Sequence, residues 1–336
     1  LDGVRLVENG RWRSFQRRAY RFVEFRFIGL GDDPVTLTRV AHHNAWYAYD
    51  ERGKLETSDG QFNHMIEVFV NEVGLPEIKK HVKTPVATVG ALNDPEFMEE
   101  IIASGKADVV LAARAFMADP DLPNKARAGK TDEIRPCIRC FECFAGITMK
   151  RQYRCAVNPE IGFEQDSRHA LPTTASKTVL VAGGGVAGMQ AALTAAERGH
   201  RVVLCEKSDR LGGVLRCEEK VPFKRLLGEY RDHLARMISR APIDVRLNTA
   251  VTPEVAQATG ADVIIAAVGA RACVPQIPGI DWPNVLGAEG AYLYPEKVGP
   301  AGASAGTGRR VLILGGGLVG IELAIFLSGL GHKVTI

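Results

Sequence analysis

The stretch KTVLVAGGGVAGMQAALTAAERGHRVVLCEK, residues 177–207, decides the fold of the larger part of this chain. It contains an apolar run, three consecutive glycines, apolar residues at helical spacing and a second apolar run. Continuous apolar runs are typical of strands buried on both faces, and a strand–helix–strand order joins parallel strands. The stretch therefore predicts an α/β fold.

Three glycines in this stretch, Gly183, Gly185 and Gly188, have the spacing G-x-G-x-x-G directly after the first strand. In such a turn the first glycine permits the bend, the second lets backbone approach a pyrophosphate, and the third lets helix and strand pack closely. Glu206 follows Gly183 by 23 residues (206 minus 183), where an acid can accept from ribose hydroxyls. We interpret these residues as a dinucleotide site; a glycine turn without a ligand is the alternative.

The same unit begins again in RRVLILGGGLVGIELAIFLSGLGHKVTI, residues 309–336. Gly315, Gly317 and Gly320 repeat the spacing 132 residues further on (315 minus 183). The acid that would contact the ribose is expected beyond Ile336, so the choice between NADH and NADPH stays open. Glu322, inside the helix, receives no role beyond packing or facing a substrate.

Two such units with the strand DVIIAAVGA, residues 262–270, between them resemble flavoproteins in which FAD occupies the first unit and a nicotinamide the second. The resemblance implies that the strand ending at Gly269 closes over the FAD and that Gly213 also binds cofactor. Cys205 and Cys217 are separated by eleven residues, so they look structural, as does Cys273. A function like that of thioredoxin or glutathione reductase is disfavoured.

An earlier alternation, TPVATVGAL at 84–92 and ADVVLAARAF at 107–116, predicts two parallel strands with helices after each. Asp94 and Asp119, each followed by proline, are predicted to cap the helices that follow the two strands. Something upstream must complete so small a sheet, but residues 1–80 give only weak strand signals.

Four of the seven cysteines lie in RPCIRCFECFAGITMKRQYRC, residues 135–155. Cys137, Cys140 and Cys143 have C-x2-C-x2-C spacing, and Cys155 follows. Thiols this close can fold onto one centre, and an iron–sulfur cluster is the favoured occupant. Zinc and unligated thiols are the alternatives. Nearby arginines would offset the charge of a thiolate-ligated cluster.

The segments RPCIRCFEC and CAVNPEIGFE, placed between residues 105–134 and a G-x-G-x-x-G unit, resemble the branch of the Old Yellow Enzyme family that contains 2,4-dienoyl-CoA reductase and trimethylamine dehydrogenase. The resemblance implies the C-terminal part of a TIM barrel that binds FMN, a [4Fe-4S] cluster held by the four cysteines, and Rossmann-like domains for FAD and NAD(P)H. It also implies a chain that begins inside the barrel and ends inside the last domain. The implied bounds are 1–130 for the barrel, 131–165 for the cluster segment, 166–305 for the FAD domain and 306–336 for the start of the NAD(P)H domain.

Further site residues follow from this resemblance. Gly90, Ala91, Ala113 and Arg114 match the FMN phosphate positions at the ends of the last two barrel strands. The family often has arginine where Ala91 stands, and strands that merely pack are the alternative. His42 and His43, in HHNAWY, are candidate proton donors, although a histidine pair in a loop is often solvated or structural. The family's tyrosine proton donor would lie upstream of Leu1.

The implied function is an electron relay. Hydride passes from NAD(P)H to FAD, single electrons pass through the cluster, and hydride passes from FMN to an activated C=C bond. Enoates, enoyl or dienoyl thioesters and 3-oxo-Δ4 steroids such as bile acids are compatible substrates. The alternatives are an amine dehydrogenase or demethylase of the trimethylamine dehydrogenase type and a non-catalytic electron-transfer subunit.

Composition narrows the partners. The 336 residues are 46% hydrophobic and 24% charged, with a net charge of +3. This balance predicts no nucleic-acid partner, and no apolar run approaches the roughly 20 residues of a membrane span. An arginine-rich run at 11–26 leaves RNA or membrane binding as an alternative to a solvated helix face. Unevenly spaced cysteines and no signal peptide favour the cytoplasm, and we expect a homo-oligomer.

Overall fold

The computed structural model describes residues 79, 83, 85–147, 152–169, 175–300, 302 and 306–336, together with the backbone of short strands between Val4 and Tyr49. The chain divides into two compact units, Leu1–Ala115 and Phe116–Ile336. Each unit is described by itself.

The first unit contains short antiparallel strands. They are Val4–Val7 (β1), Arg13–Phe15 (β2), Arg18–Tyr20 (β3), Glu24–Phe27 (β4), Val35–Val40 (β5) and Ala45–Tyr49 (β6). The sheet order is β1-β4-β5-β6, and β2 pairs with β3. A TIM barrel is built from parallel strands, so these pairings differ from those expected of a barrel domain over residues 1–130.

The predicted alternation follows in the same unit. Strand β7, Ala87–Val89, and strand β8, Val109–Leu111, pair in parallel, and helix α1, Pro95–Ala103, connects them. Asp94 caps α1 as predicted, because its Oδ1 accepts from the Glu96 amide at 3.0 Å. Leu92, Ile101 and Ala107 form the buried core beneath the helix.

Short helices lead from β8 to the first dinucleotide unit. They are Ala113–Ala118 (α2), Leu122–Arg127 (α3), a 3-10 turn at Thr131–Glu133, Glu142–Ala145 (α4) and Glu164–His169 (α5). The predicted cap by Asp119 is wrong, because α3 begins after Asp121 and has no side-chain cap. Asp119 instead accepts from the Arg135 amide at 2.8 Å and from Lys125 Nζ at 2.7 Å. Asp119 Oδ1 accepts from the Asp121 amide at 3.0 Å, so this side chain closes the turn before α3 and does not cap the helix itself.

The first dinucleotide unit is a four-stranded parallel sheet with helices. Its elements are Thr178–Ala182 (β9), Val186–Glu197 (α6), Arg201–Cys205 (β10), Arg225–Arg240 (α7), Ile243–Arg246 (β11), Pro253–Thr259 (α8) and Val263–Ala266 (β12). The order β11-β10-β9-β12 places the first strand inside the sheet, with the crossover expected of a Rossmann unit. The α/β prediction is confirmed.

The core of this unit lies between the sheet and helices α6 and α7. It contains Val181, Met189, Leu204 and Leu234, all at most 1% exposed. Val157, from the chain that follows the cysteines, is buried in the same core. The cysteine segment, residues 135–155, is therefore anchored to the helical layer of the first dinucleotide unit.

The second dinucleotide unit has the same beginning. Its elements are Ala288–Leu293 (α9), Arg310–Leu312 (β13), Leu318–Gly329 (α10) and Lys333–Thr335 (β14). Strands β13 and β14 are parallel, as predicted. A separate core packs Tyr292 and Phe326 together with Cys217, of the 3-10 segment Gly213–Lys220, and Val221, which joins that segment to the 3-10 segment Pro222–Lys224.

Candidate functional site

The first glycine turn joins β9 to α6. Gly183 has φ +111°, which favours glycine, and its amide donates to the Cys205 carbonyl at 2.8 Å. A Cβ on Gly188 would overlap the Gly183 carbonyl and lie 3.3 Å from Ala267 Cβ. The first and third glycines therefore have the backbone roles predicted for them.

Glu206 directs its carboxylate back at this turn. Its Oε2 accepts from the Gly184 amide at 2.7 Å, and its Oε1 accepts from the Ser208 amide at 2.8 Å and the Ser208 hydroxyl at 2.7 Å. Burial alone would raise the pKa of Glu206, but these hydrogen bonds outweigh burial and hold the pKa below its ordinary value. The acid is therefore ionised at neutral pH beside the glycine turn.

A second glycine pair faces the turn. The Gly212 amide donates to the Gly184 carbonyl at 2.9 Å, and a Cβ on Gly213 would lie 2.8 Å from the Gly185 Cα. The two backbones thus approach each other without side chains between them. A surface of backbone amides at the N-terminus of the twelve-residue helix α6 fits a pyrophosphate.

Gly269 follows β12 in a left-handed conformation, with φ +73°. Because β12 and β9 are parallel neighbours, their carboxyl ends meet at one edge of the sheet. Gly269 therefore lies at the same sheet edge as the first glycine turn. This is the edge at which open α/β sheets bind ligands.

The second glycine turn repeats the backbone of the first. Gly315 has φ +115°, and a Cβ on Gly320 would overlap the Gly315 carbonyl. Gly317 precedes the first residue of α10, as Gly185 precedes that of α6. Glu322 forms an ion pair with Lys224 at 2.8 Å, with both side chains mostly buried. Glu322 therefore links α10 to the 3-10 segment Pro222–Lys224.

The four cysteines of the predicted metal site lie at or near the surface. Cys140 is exposed, whereas Cys137, Cys143 and Cys155 are half-buried. Cys137 and Cys155 both pack against the core of the first dinucleotide unit. No group of three or more metal-binding side chains is assembled within the part of the chain that the structure describes.

The backbone between these cysteines is unusual. Arg139 and Phe141 have φ of +54° and +59°. Left-handed backbone costs energy outside glycine and concentrates at functional sites. The C-x2-C-x2-C run is therefore tightly turned at both intervals.

A buried polar cluster supports this segment. Asp119 is 3% exposed, and its bond to the Arg135 amide fixes the chain two residues before Cys137. The Tyr230 hydroxyl donates to the Val157 carbonyl at 3.4 Å, two residues after Cys155. Both ends of the cysteine segment are thereby held by buried side chains.

His233 lies one turn from Tyr230 on α7, and their rings stack with centroids 6.4 Å apart. Burial, followed by the charges of Arg135, Arg236 and Lys125, lowers the pKa of His233 to about 4. Its Nδ1 is buried without a hydrogen-bond partner among the described residues. The imidazole is therefore neutral at physiological pH.

Of the three thiols predicted to be ordinary buried cysteines, Cys205 and Cys217 are buried, whereas Cys273 is exposed and that prediction is wrong. Cys205 is 1% exposed and Cys217 is 7% exposed. Burial, the largest cause, raises the pKa of both thiols, that of Cys217 to about 11. The interpretation of Cys205 and Cys217 as structural agrees with this, because a reactive thiol needs a lowered pKa.

The predicted FMN residues lie together. Gly90 and Ala91 follow β7, with φ of +140° and +51°, and Ala113 and Arg114 open α2 two residues after β8. Since β7 and β8 are parallel, all four residues lie at the carboxyl edge of that pair. The candidate proton donors His42 and His43 lie outside the described residues.

Sequence reasoning missed several residues that shape the first site. Ser208 follows Glu206 by two residues, a spacing at which hydroxyls often bond back locally, so it was detectable. Glu219 and Arg231 contact each other beside Gly212, but carried no signal because they are twelve positions apart in the sequence. His233 lies on the buried face of α7, where it resembles any core position.

Two family descriptions match this chain. Residues 46–133 match the NADH:flavin oxidoreductase / NADH oxidase family, and residues 177–336 match pyridine nucleotide-disulphide oxidoreductase. The second match begins one residue before β9 and includes both glycine turns.

Several known proteins are similar to this chain. An NADH oxidase from Thermoanaerobacter brockii is 41% identical over 77% of this chain and 40% of its own length. A cinnamate reductase from Clostridium sporogenes is 36% identical over 77% of this chain and 37% of its own length. The structure of a 2-naphthoyl-CoA reductase superposes with a TM-score of 0.69 at 30% identity, covering 82% of this chain and 39% of that one.

The two glycine turns and the two matched segments define the class: an oxidoreductase that combines a flavin segment with a pyridine nucleotide segment. More particularly, residues 46–133 belong to the NADH:flavin oxidoreductase / NADH oxidase family, and residues 177–336 belong to the pyridine nucleotide-disulphide oxidoreductase family. The chain spans about two fifths of the length of the relatives it matches. Within the described residues, no helix has the length and apolar character needed to cross a bilayer.

Proposed function

We propose that this chain is part of an NAD(P)H-dependent flavin and iron–sulfur oxidoreductase that reduces an activated C=C bond. The observation that carries the proposal is the first dinucleotide unit, in which the ionised Glu206 and two facing glycine pairs surround the N-terminus of α6. The similarity to a cinnamate reductase and an NADH oxidase supports the substrate and donor classes. Enoates, enoyl or dienoyl thioesters and 3-oxo-Δ4 steroids of the bile-acid type are the proposed substrates.

In the first dinucleotide unit, the pyrophosphate of FAD would be held by the backbone of Gly183, Gly185, Gly188 and Gly213. Glu206 would accept from the ribose hydroxyls, since an ionised carboxylate has lone pairs beyond those used by Gly184 and Ser208. Gly269 would leave room for the cofactor at the end of β12. Because glycine has no side chain, nothing at these positions obstructs the approach of the cofactor.

In the second unit, Gly315, Gly317 and Gly320 would hold NAD(P)H in the same manner. For FMN, the amides of Gly90, Ala91, Ala113 and Arg114 would hold the phosphate at the end of the C-terminal barrel strands β7 and β8. The left-handed φ of Ala91 supports this role, because it turns the backbone immediately after the strand.

Cys137, Cys140, Cys143 and Cys155 would hold a [4Fe-4S] cluster. Four thiolates in this spacing suit iron chemically, and the tight turns at Arg139 and Phe141 suit closely spaced ligands. The described structure does not gather the four sulfurs, so metal binding would draw Cys140 and Cys143 toward Cys137 and Cys155. Such coupling of metal binding to local folding is common.

When bound, these groups would supply hydride and single-electron transfer between NAD(P)H and the substrate. The role of the chain is to hold each group at its own glycine turn or cysteine run. His42 or His43 would deliver the proton that completes reduction of the C=C bond.

The test is anaerobic purification followed by flavin and metal analysis and a cinnamate reduction assay with NADH. We expect FAD, FMN and iron, with product formed only when NADH is present. The variant Cys143→Ser should lose iron, whereas the matched variant Cys273→Ser, at an exposed cysteine outside the segment, should keep it. Zinc in place of iron, absence of flavin, or dye-linked oxidation of methylamines instead of alkene reduction would overturn the proposal.

A further inference from the structure

The loop that carries Gly212 and Gly213 is closed by an ion pair between Arg210, which precedes the loop, and Glu219, which follows it. Glu219 lies in the 3-10 segment that follows the loop. Its Oε1 and Oε2 accept from Arg210 Nη1 at 2.8 Å and Nη2 at 3.0 Å. Arg210 precedes the loop, so this bidentate pair closes the chain around the two glycines.

The same carboxylate reaches the helical layer. Glu219 Oε1 also accepts from Arg231 Nη1 at 2.5 Å, and Arg231 is a residue of α7. The Arg231 side chain is 13% exposed, and a Cβ on Gly212 would lie 2.7 Å from its Cδ. The stem of Arg231 therefore packs directly on Gly212 while its guanidinium holds Glu219.

This arrangement matters because the loop has little stiffness of its own. Gly212 and Gly213 have φ of +122° and +54°, and glycine loses more backbone freedom on ordering than any other residue. The loop nonetheless lies against the first glycine turn, through the bond from the Gly212 amide to the Gly184 carbonyl. An external clamp would remove the entropy cost of ordering the loop when a ligand binds.

We propose that Glu219 is a positioning residue, which locks the Gly212–Gly213 loop against the first glycine turn and so prepares the surface that receives the dinucleotide pyrophosphate. This inference rests on the proposed FAD site. It adds that the affinity of the site depends on the ion cluster Arg210–Glu219–Arg231, in which Arg231 also donates to Asp232.

The test compares Glu219→Gln with the matched variant Glu229→Gln in the full chain. Glu229 lies on α7 and pairs with Arg225, but its carboxylate contacts no residue of the loop in the described structure. Titration with FAD, followed by flavin fluorescence, should show binding weakened about threefold to tenfold in Glu219→Gln, because an exposed ion network contributes about 1 kcal/mol. Glu229→Gln should bind within about twofold of the unmodified chain.

Hydrogen exchange of the FAD-free protein supplies the readout that separates positioning from general stability. In Glu219→Gln the Gly212 amide should exchange faster, while amides of β9 and β10 stay protected. Glu219→Gln with unchanged affinity, or with lost affinity and an unchanged Gly212 amide, would overturn the inference. If the unmodified chain itself binds no FAD, the proposed function fails first, and the two failures are thereby distinguishable.

Discussion

The two glycine turns of this protein have the same sequence pattern and the same backbone conformation, and each lies in a dinucleotide unit with its own core. Gly183 and Gly315 have φ of +111° and +115°, and the third glycine of each turn faces the carbonyl of the first. Around the first turn, a Cβ on Gly184 would meet Leu211 and Glu206, and a Cβ on Gly213 would meet Gly185.

This comparison separates two layers of a nucleotide site. The G-x-G-x-x-G letters determine the turn, because sterics within a few residues select glycine there. The surroundings of the first turn come from residues 23 to 30 positions further on, between Glu206 and Gly213 (206 minus 183 and 213 minus 183).

The largest effect should come from the third glycine. Gly188→Ala places a methyl group against the Gly183 carbonyl, just beyond the carboxyl end of the inner strand β9, and should cost about 3 kcal/mol of unfolding free energy. Gly320→Ala has the same local clash, but should leave FAD binding intact because it lies in the other unit. Urea unfolding and FAD content check both variants, and normal FAD content in Gly188→Ala would erase the distinction between the turns.

The burial of His233 on helix α7 should make the stability of the protein depend on pH. Its pKa is about 4 when folded, against an ordinary 6.5, so the unfolded chain binds the proton more readily. Stability should therefore fall as pH drops from about 6.5 to about 4, by about 3 kcal/mol over this gap of 2.5 units. His233→Gln should flatten this part of the profile. Urea unfolding curves of both proteins at each pH measure the dependence of stability on pH. An equally steep dependence in His233→Gln would contradict the lowered pKa of His233 as its cause.

Next in size is the acid beside the first turn. Glu206→Gln removes the charge and leaves one oxygen to accept from both Gly184 and Ser208, so FAD should bind about tenfold to a hundredfold more weakly. Glu322→Gln, in the second unit, should leave FAD affinity within about twofold. Equilibrium dialysis of both variants gives the ratio, and equal losses would mean that Glu206 has no special place at the site.

The smallest effect should come from Cys217. Since its pKa is about 11, little thiolate exists at neutral pH, and we expect the sulfur to take no part in electron transfer. Cys217→Ala should cost about 1 kcal/mol of stability and leave reduction of bound flavin by NADH unchanged. Stopped-flow absorbance checks this, and a lost phase of flavin reduction would place a redox thiol between the two units.

Much of the fold could be predicted where neighbours in sequence are neighbours in space. Strand β9, the turn at Gly183 and the cap at Asp94 all follow from local sterics and hydrogen bonding. The two parallel pairs, β7–β8 and β13–β14, follow from apolar runs separated by one helix. For the same reason Glu206 was found from its distance to the glycines.

Contacts with distant partners could not be predicted. Asp119 lies two residues too early to cap α3: its Oδ1 accepts from the Asp121 amide, and its Oδ2 accepts from the Arg135 amide, sixteen residues away. The pairing of β4 with β5 received no prediction, because the weak apolar pattern of such short strands does not specify their register. Glu219 and Arg231 meet only because the 3-10 segment lies across α7.

Helix α7 has one consequence for the whole larger unit. Tyr230 supports the chain beyond Cys155, and Arg231, the next residue, packs on Gly212. Consecutive residues on a helix point about 100° apart, so a small roll of this one rod would shift the cysteine run and the glycine loop in a single movement. A mutation that disturbs the cysteine run is therefore expected to alter the loop at Gly212, and a mutation in that loop is expected to alter the cysteine run.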